Sequence, residues 1–235
     1  MGYADIKPNV TFGGVLRWLV RGAVFAFVGS ILWVLAYAII PVPITATMIP
    51  DAFNGNGITK RWTPLSQISP NMARAAIAGE DGKFCSHHGF DWDAMKIAER
   101  ANEHGHRIRG GSTISQQTAK NVFLWQGGGY FRKAIEAWFT FLIENLWGKR
   151  RIMEVYLNVA ETGIGTYGAE AGAQRYFGHS AAQLTPVEAA RIAAVLPLPK
   201  RRDAVDPGGF TRRHGNHIAA MIGVVKRDGL DRCLR

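Results

Sequence analysis

The chain has 235 residues and a formal net charge of +10, from 28 Lys and Arg residues against 18 Asp and Glu residues. With 47% hydrophobic residues it is too apolar to be a disordered tail. Its two cysteines, Cys85 and Cys233, are too few for a disulfide framework or a cysteine-rich zinc site. The fold must therefore depend on an ordinary hydrophobic core. The basic excess leaves nucleic acid, a phosphate-bearing substrate and an anionic membrane surface open as partners.

The first element is an uncharged apolar stretch, residues 22–40, whose most polar members are Ser30 and Tyr37. As a helix it would be roughly 28 Å long, which is close to the hydrocarbon thickness of a bilayer. We therefore predict one transmembrane helix over residues 22–40. A cleaved signal peptide, with residues 36–38 as a small-x-small cleavage site, and a buried core helix are the two alternatives.

The basic residues around this stretch indicate its orientation. Lys7, Arg17 and Arg21 precede it, whereas the next basic residue along the chain is Lys60. Cytoplasmic flanks carry the excess of Lys and Arg in membrane proteins. Residues 1–21 are therefore expected in the cytoplasm, and the rest of the chain on the other side of the membrane.

The region after the membrane helix divides into a linker and one domain. Residues 41–63 contain three prolines and two glycines without a clear hydrophobic period, so we predict a linker. Residues 64–235 are enough for a single domain. Helix signals dominate it and no run alternates convincingly as a strand, so the domain is expected to be mainly α.

The helix boundaries are predicted from capping residues. Ser69 and Pro70 provide an N-cap and a first-turn proline for a helix that ends near Glu80. The other helices are predicted to run from Asp91 to about Asn102, from a capping box of Thr113 and Gln116, from Tyr130 to Trp147, from Thr185, and from about Phe210.

A first polar cluster, residues 80–91, contains two candidate acid–base residues. Glu80 and Asp81 lie at a predicted helix C-terminus, where the macrodipole raises the pKa of a carboxyl group and suits it to proton transfer. The same residues also fit an ordinary polar turn.

Two further clusters combine cations with polar groups. On the helix that follows residues 110–112, Thr113, Gln117 and Lys120 project from one face, and the helix N-terminus favours an anion. On the long apolar helix, Glu136 stands four residues after Arg132 and three after Lys133. A solvated helix face and a plain surface salt bridge are the respective alternatives.

Taken in order, these clusters, together with residues 151–158 (RIMEVYLN) and 168–178 (GAEAGAQRYFG), resemble the peptidoglycan glycosyltransferases of family 51. The resemblance covers about residues 60–205. With one membrane helix and no room for a transpeptidase domain, the chain is similar to the monofunctional biosynthetic members.

The resemblance implies a mainly α, lysozyme-like fold. It also implies an enzyme that polymerises lipid II into β-1,4 glycan strands outside the bacterial cytoplasmic (inner) membrane. Glu80 matches the general base, which deprotonates the acceptor 4-hydroxyl as undecaprenyl pyrophosphate leaves and the anomeric centre inverts. Glu136 matches the second essential carboxylate. The positions expected to bind substrate are Asp81, Phe84, His87, Thr113, Gln117, Lys120, Arg132 and Lys133.

The resemblance also implies partners. These are lipid II, the growing glycan and the cytoplasmic membrane, with other cell-wall synthases or division proteins as candidates and no nucleic acid. No cofactor is expected to be required, and no ligand set for a metal stands out. A divalent Mg²⁺ or Mn²⁺ ion near the pyrophosphate is compatible with the chemistry. The apolar, glycine-rich residues 122–131 are expected to form a lip that dips into lipid, with a buried connection as the alternative.

Three questions stay open at this point. A lytic enzyme that cleaves the same polymer is the main alternative function, because two carboxylates also serve glycoside cleavage. A membrane-tethered adaptor without activity is a more distant one. The sequence does not decide whether Cys85 and Cys233 pair in an oxidising compartment; free thiols are favoured, because Cys233 lies near a chain end that is expected to fray.

Overall fold

The computed structural model of the protein describes residues 12–103 and 111–235. Lys7, one of the residues used to orient the membrane helix, and Gly110, at the start of the second cluster, lie outside these ranges. The ten α-helices of the described residues are α1 (Phe12–Ile39), α2 (Ile49–Phe53), α3 (Pro70–Glu80), α4 (Trp92–Glu103), α5 (Ile114–Phe123), α6 (Gly129–Leu146), α7 (Lys149–Val159), α8 (Ala169–Phe177), α9 (Pro186–Val195) and α10 (Gly209–Arg227).

Three very short strands accompany the helices: β1 (Thr59–Lys60), β2 (Glu161–Gly163) and β3 (Thr166–Tyr167). They form one sheet in the order β1-β3-β2, with β1 parallel and β2 antiparallel to β3. Runs of two or three residues are too short to show alternation, which is why the sequence did not indicate strands. The mainly α class is confirmed.

The helix boundaries follow the predicted caps. Thr113 and Thr185 each accept a hydrogen bond from the backbone N–H three residues later, and each capping box is complete. Asp91 accepts from the backbone N–H of Ala94 at 3.0 Å before α4. The long helix α6 ends one residue before Trp147, where Gly148 follows. These boundaries depend on contacts between residues a few positions apart, so the sequence alone is enough to predict them.

The apolar helix α1 is longer than predicted, because it begins at Phe12 rather than at residue 22. It is long and apolar enough to cross a membrane, and most of its surface is exposed. Its second half packs against α6, where Trp138 Nε1 donates to Ser30 Oγ at 3.1 Å and Phe27 contacts the Trp138 ring. Trp147 Nε1 also donates to the carbonyl oxygen of Val34 at 2.8 Å.

The segment predicted to be a linker, residues 41–63, contains α2 and β1 and contributes to the core. Val42, Met48 and Asp51 are each at most 1% exposed. Lys60 Nζ donates to the carbonyl oxygen of Pro43 at 3.0 Å, which holds the start of the segment against β1. Prolines and glycines here shape a packed connection rather than a loose one.

The prediction of free thiols is wrong, because Cys85 and Cys233 form a disulfide with their Cα atoms 5.4 Å apart. The C-terminal end is held in place instead of fraying. Asp231 forms an ion pair with Arg74 at 2.8 Å, and Arg150 donates to the carbonyl oxygen of Leu234 at 2.6 Å. These contacts bring Cys233 to the loop that follows α3.

The core lies between α3, α9 and α10, with α5 and α7 on its other side. The inner face of α3 is built from Met72, Ile77 and three alanines, all buried. Small residues bring the helices close together, since a Cβ on Gly79 would lie 2.9 Å from Ile218 Cδ1 of α10. This packing fixes the C-terminal end of α3, where the first polar cluster begins.

Candidate active site

Glu80 is the last residue of α3, and its carboxylate meets α5. Gln117 Nε2 donates to Glu80 Oε2 at 2.9 Å, while the hydroxyl of the fully buried Tyr156 donates to Gln117 Oε1 at 3.4 Å. Because the phenol occupies the amide oxygen, the amide nitrogen is turned toward Glu80. Gln117 therefore orients one oxygen of the carboxylate and leaves the other for a different partner.

The second oxygen of this carboxylate, Glu80 Oε1, is buried and has no hydrogen-bond partner among the described residues. Burial raises the pKa of Glu80 to about 7; the Gln117 hydrogen bond and the positive charges of Arg202 and Lys120 oppose this rise, and Asp81 adds to it. A carboxylate with a pKa near neutrality and a free oxygen is suited to accept a proton from a bound hydroxyl group.

Four of the predicted substrate-binding residues make contacts within the protein: Asp81, Phe84 and Thr113 are buried, and His87 is half-buried. Asp81 Oδ2 accepts from the backbone N–H of Ile114 at 2.9 Å and pairs with His87 Nε2 at the same distance. Thr113 caps α5 and donates to the carbonyl oxygen of Gly89 at 2.6 Å. Phe84 is fully buried, with Lys149 Nζ 4.6 Å from its ring centroid. These side chains hold α5 against the end of α3, and in this structure they present little surface to a ligand.

Gln117 and Lys120 line an open cavity of about 200 Å³ next to Glu80. Lys120 Nζ forms no ion pair or hydrogen bond with the described part of the chain. Burial lowers the pKa of Lys120, and the like charges of Arg132 and Lys133 add to this effect, whereas Glu136 and Glu80 oppose it. An anion entering the cavity would therefore meet an ammonium group that has no other direct partner.

At the start of α6, Glu136 is 2% exposed and bonded on both oxygens. Arg132 Nη1 lies 2.6 Å from Oε2, and Lys133 Nζ pairs with Oε1. The Arg132 side chain also donates through Nε to the carbonyl oxygen of Gly127. This pairing positions both cations at the N-terminal end of α6, beside the cavity that contains Lys120.

The predicted lip, residues 122–131, has a buried beginning and an exposed end. Phe123 and Leu124 are buried, whereas Tyr130 is 96% exposed and Phe131 is 73% exposed. The backbone between them passes through Gly127 and Gly128, both with positive φ. Large exposed aromatic rings at the N-terminal end of α6, a helix that packs against the apolar α1, fit insertion into lipid better than a buried connection.

Sequence reasoning missed several residues around the site. Arg202 belongs to none of the predicted clusters, yet its charge acts on Glu80. Lys200, two residues earlier, pairs with the buried Asp51 at 2.5 Å. Tyr156 appeared only inside a matching motif. No local signal exposes these roles, since each contact joins segments far apart in the chain.

The described residues contain no group of three or more His, Cys, Asp or Glu side chains that could hold a metal ion. A metal requirement stays a prediction.

Comparison with known proteins gives a consistent result. The family model described as "Transglycosylase" matches residues 48–222. A Caulobacter vibrioides protein named biosynthetic peptidoglycan transglycosylase is 51% identical over 227 residues, which cover 94% of this chain and 99% of the relative. Relatives of the same name from Jannaschia sp. and Bdellovibrio bacteriovorus are 48% and 45% identical; the matches cover 97% and 88% of this chain, and 95% and 86% of the respective relative.

Proposed function

This chain belongs to the transglycosylase family, and we propose that it polymerises lipid II into β-1,4-linked glycan, with Glu80 as the general base. It is a peptidoglycan glycosyltransferase of bacterial cell-wall synthesis. The relatives are named as biosynthetic enzymes, so the lytic alternative is not supported. The observation that carries the proposed role of Glu80 is its buried, unpartnered oxygen beside an open cavity.

In the proposed step, Glu80 Oε1 accepts the proton of the acceptor 4-hydroxyl group. The freed oxygen attacks C1 of the donor sugar from the face opposite the pyrophosphate. A new C1–O bond forms as the bond from C1 to the pyrophosphate oxygen breaks, and the configuration inverts from α to β. Gln117 holds the other carboxylate oxygen, so the proton-accepting oxygen keeps one position.

The leaving group is a pyrophosphate on a polyprenyl chain, which is a concentrated anion. Lys120 is a cation without another direct partner in the cavity, and Arg132 and Lys133 are fixed nearby by Glu136. Guanidinium and ammonium groups stabilise developing phosphate charge. We assign Glu136 the role of positioning these two cations rather than transferring a proton.

We propose that α1 anchors the enzyme with its N-terminus in the cytoplasm and the domain outside. Its length and apolar surface support membrane anchoring. Arg17 and Arg21 near its start support the orientation. The disulfide between Cys85 and Cys233 also fits an oxidising compartment such as the periplasm.

The test is polymerisation of labelled lipid II by the detergent-solubilised chain. Wild type, Glu80→Gln and Glu99→Gln are compared, the last being a matched change at an exposed carboxylate on α4. We expect a glycan ladder from wild type and Glu99→Gln, and a loss of roughly 10²- to 10⁴-fold for Glu80→Gln. More than about a tenth of wild-type activity in Glu80→Gln would remove it from the base role.

A further inference from the structure

A second carboxylate, Glu161, resembles Glu80 in one respect. The only buried side-chain nitrogen or oxygen atoms without a hydrogen-bond partner in residues 12–103 and 111–235 are Glu80 Oε1 and Glu161 Oε1. Glu161 lines the same cavity as Gln117 and Lys120. Leaving a buried acceptor unpaired costs roughly 1–3 kcal/mol, so each such atom calls for an explanation.

Neighbouring residues do not satisfy Glu161. Lys200 Nζ is 3.5 Å from Glu161 Oε1, but it lies 2.5 Å from Asp51 Oδ1. Asp51 also accepts from the Tyr167 hydroxyl at 2.5 Å and from Asn56 Nδ2 at 3.2 Å. The lysine is therefore committed mainly to Asp51, and Glu161 keeps only a loose ion-pair contact.

The backbone fixes Glu161 in this position. It is the first residue of β2 and pairs with Tyr167 of β3, which itself is tied to Asp51 of α2. A Cβ on Gly165, between these strands, would lie 2.7 Å from the carbonyl oxygen of Asn56, so the turn fits closely against the loop after α2. The carboxylate therefore stands on a braced element rather than on a loose loop.

The cavity wall is chemically suited to a sugar. Besides the charged groups, its lining includes the amides of Asn121 and Gln126. The Gln117 amide and the hydroxyl groups of Thr47 and Tyr167 also line it, but they are already bonded within the protein. A volume of about 200 Å³ is smaller than usual drug-sized pockets, and it suits one pyranose ring.

We propose that Glu161 is a saccharide-binding residue, which accepts a hydrogen bond from a hydroxyl or acetamido N–H group of an aminosugar held in this cavity, whose wall includes the Gln117 that binds Glu80. The inference rests on the proposed function, because such sugars belong to both substrates of that reaction. The ring could belong to acceptor lipid II or to the donor glycan. Burial raises the pKa of Glu161 to about 7; Lys200 opposes this rise, and the neighbouring Asp51 adds to it.

The experiment measures initial rates with the full chain in detergent for wild type, Glu161→Gln, Glu161→Asp and the exposed control Glu99→Gln. One arm varies lipid II at a saturating preformed lipid-linked oligosaccharide donor, and the other varies that donor at saturating lipid II. A hydrogen bond to a charged group is worth about 1.5–3 kcal/mol, so KM should rise at least tenfold in one arm, with kcat within about threefold. A rise for lipid II identifies the acceptor ring, and a rise for the oligosaccharide identifies the donor ring.

Unchanged KM values in both arms, or a loss confined to kcat, would overturn the inference. Glu161→Gln keeps the side-chain shape and removes a costly buried charge, so its melting temperature should not fall. If it nevertheless fails to fold, Glu161→Asp carries the same test, because it withdraws the carboxylate from the cavity. Absence of glycan from wild type and Glu99→Gln would reject the proposed function itself. Glycan from both, with unchanged KM in the Glu161 variants, would reject this inference alone.

Discussion

The surroundings of Glu80 and of Glu136 differ in how completely each carboxylate is paired. Glu136 holds Arg132 on one oxygen and Lys133 on the other. Glu80 has Gln117 on one oxygen and nothing from the described residues on the other. A fully paired carboxylate organises its neighbours, whereas an under-paired one is available for chemistry. The difference gives a physical basis for the different roles that the resemblance implies for the two glutamates.

The largest effect that sharpens this contrast is expected from Glu136→Gln. Removing one member of a buried ion pair leaves the other uncompensated, at a typical cost of roughly 3–5 kcal/mol. The glutamine oxygen still accepts one hydrogen bond and Lys133 is partly exposed, so we expect about 3 kcal/mol or somewhat less. Urea unfolding of the detergent-solubilised protein measures it. Unchanged stability would show that the pairing does not hold this end of α6.

Glu80→Gln should change stability in the opposite direction. The pKa of Glu80 is about 7 in the folded protein, against an ordinary value of 4.5. Ionising Glu80 is therefore less favourable in the folded than in the unfolded chain, and the free energy of unfolding falls as pH rises from 4.5 to 7. Above pH 7 that cost is fully present, and the amide removes it. We expect a gain on the order of 1–3 kcal/mol at pH 8 and almost none at pH 4.5. A gain of equal size at both pH values would contradict this origin.

The same pKa sets the pH dependence of polymerisation. A general base must be ionised, so kcat/KM for lipid II should fall tenfold per pH unit below about 7 and level off above it. The hydrogen bond from Gln117 lowers the pKa of Glu80, so in Gln117→Leu this acidic limb of the kcat/KM profile, where the rate falls with decreasing pH, should move to higher pH. A limb that stays in place in Gln117→Leu would argue that another group is titrating.

The smallest effect is expected from Lys133→Gln. The Lys133 side chain is 41% exposed, and Arg132 remains on Glu136. Exposed ion pairs contribute about 0.2–1 kcal/mol, so stability should fall by no more than that. Arg132, whose side chain is only 15% exposed, supplies the comparison, and Arg132→Gln should cost more in the same unfolding measurement. Equal costs would show that exposure does not distinguish the two cations.

The accuracy of the sequence-based predictions followed the range of the interactions involved. The capping boxes at Thr113 and Thr185 join residues three apart, so their chemistry is visible in a short window. The ion pair between Lys200 and Asp51 joins residues 149 apart, and the sequence around neither residue predicts it. The disulfide was misjudged for the same reason, because the contacts of Asp231 and Leu234 with distant helices hold the C-terminal end.

Within the site, the motifs identified residues but did not separate their roles. Asp81, Phe84 and Thr113 were grouped with Lys120 as substrate-binding, although burial and internal hydrogen bonds set the first three apart. Burial is a property of the assembled core, so residue type and spacing do not contain it. Their assignment to substrate binding stays a prediction. Glu161 lies between the matched segments 151–158 and 168–178 and belongs to neither, so only the cavity makes it a candidate.

The hydrogen bonds from Trp138 and Trp147 to α1 also affect how the enzyme meets its substrate. They join α1, at two points about one helical turn apart, to α6 and to the residue that follows it, so the domain does not tumble freely on a tether. A lipid-linked substrate diffuses in two dimensions and presents its head group at a constant height. A catalytic cavity held at a fixed tilt and elevation would meet that head group in nearly the same pose at each encounter.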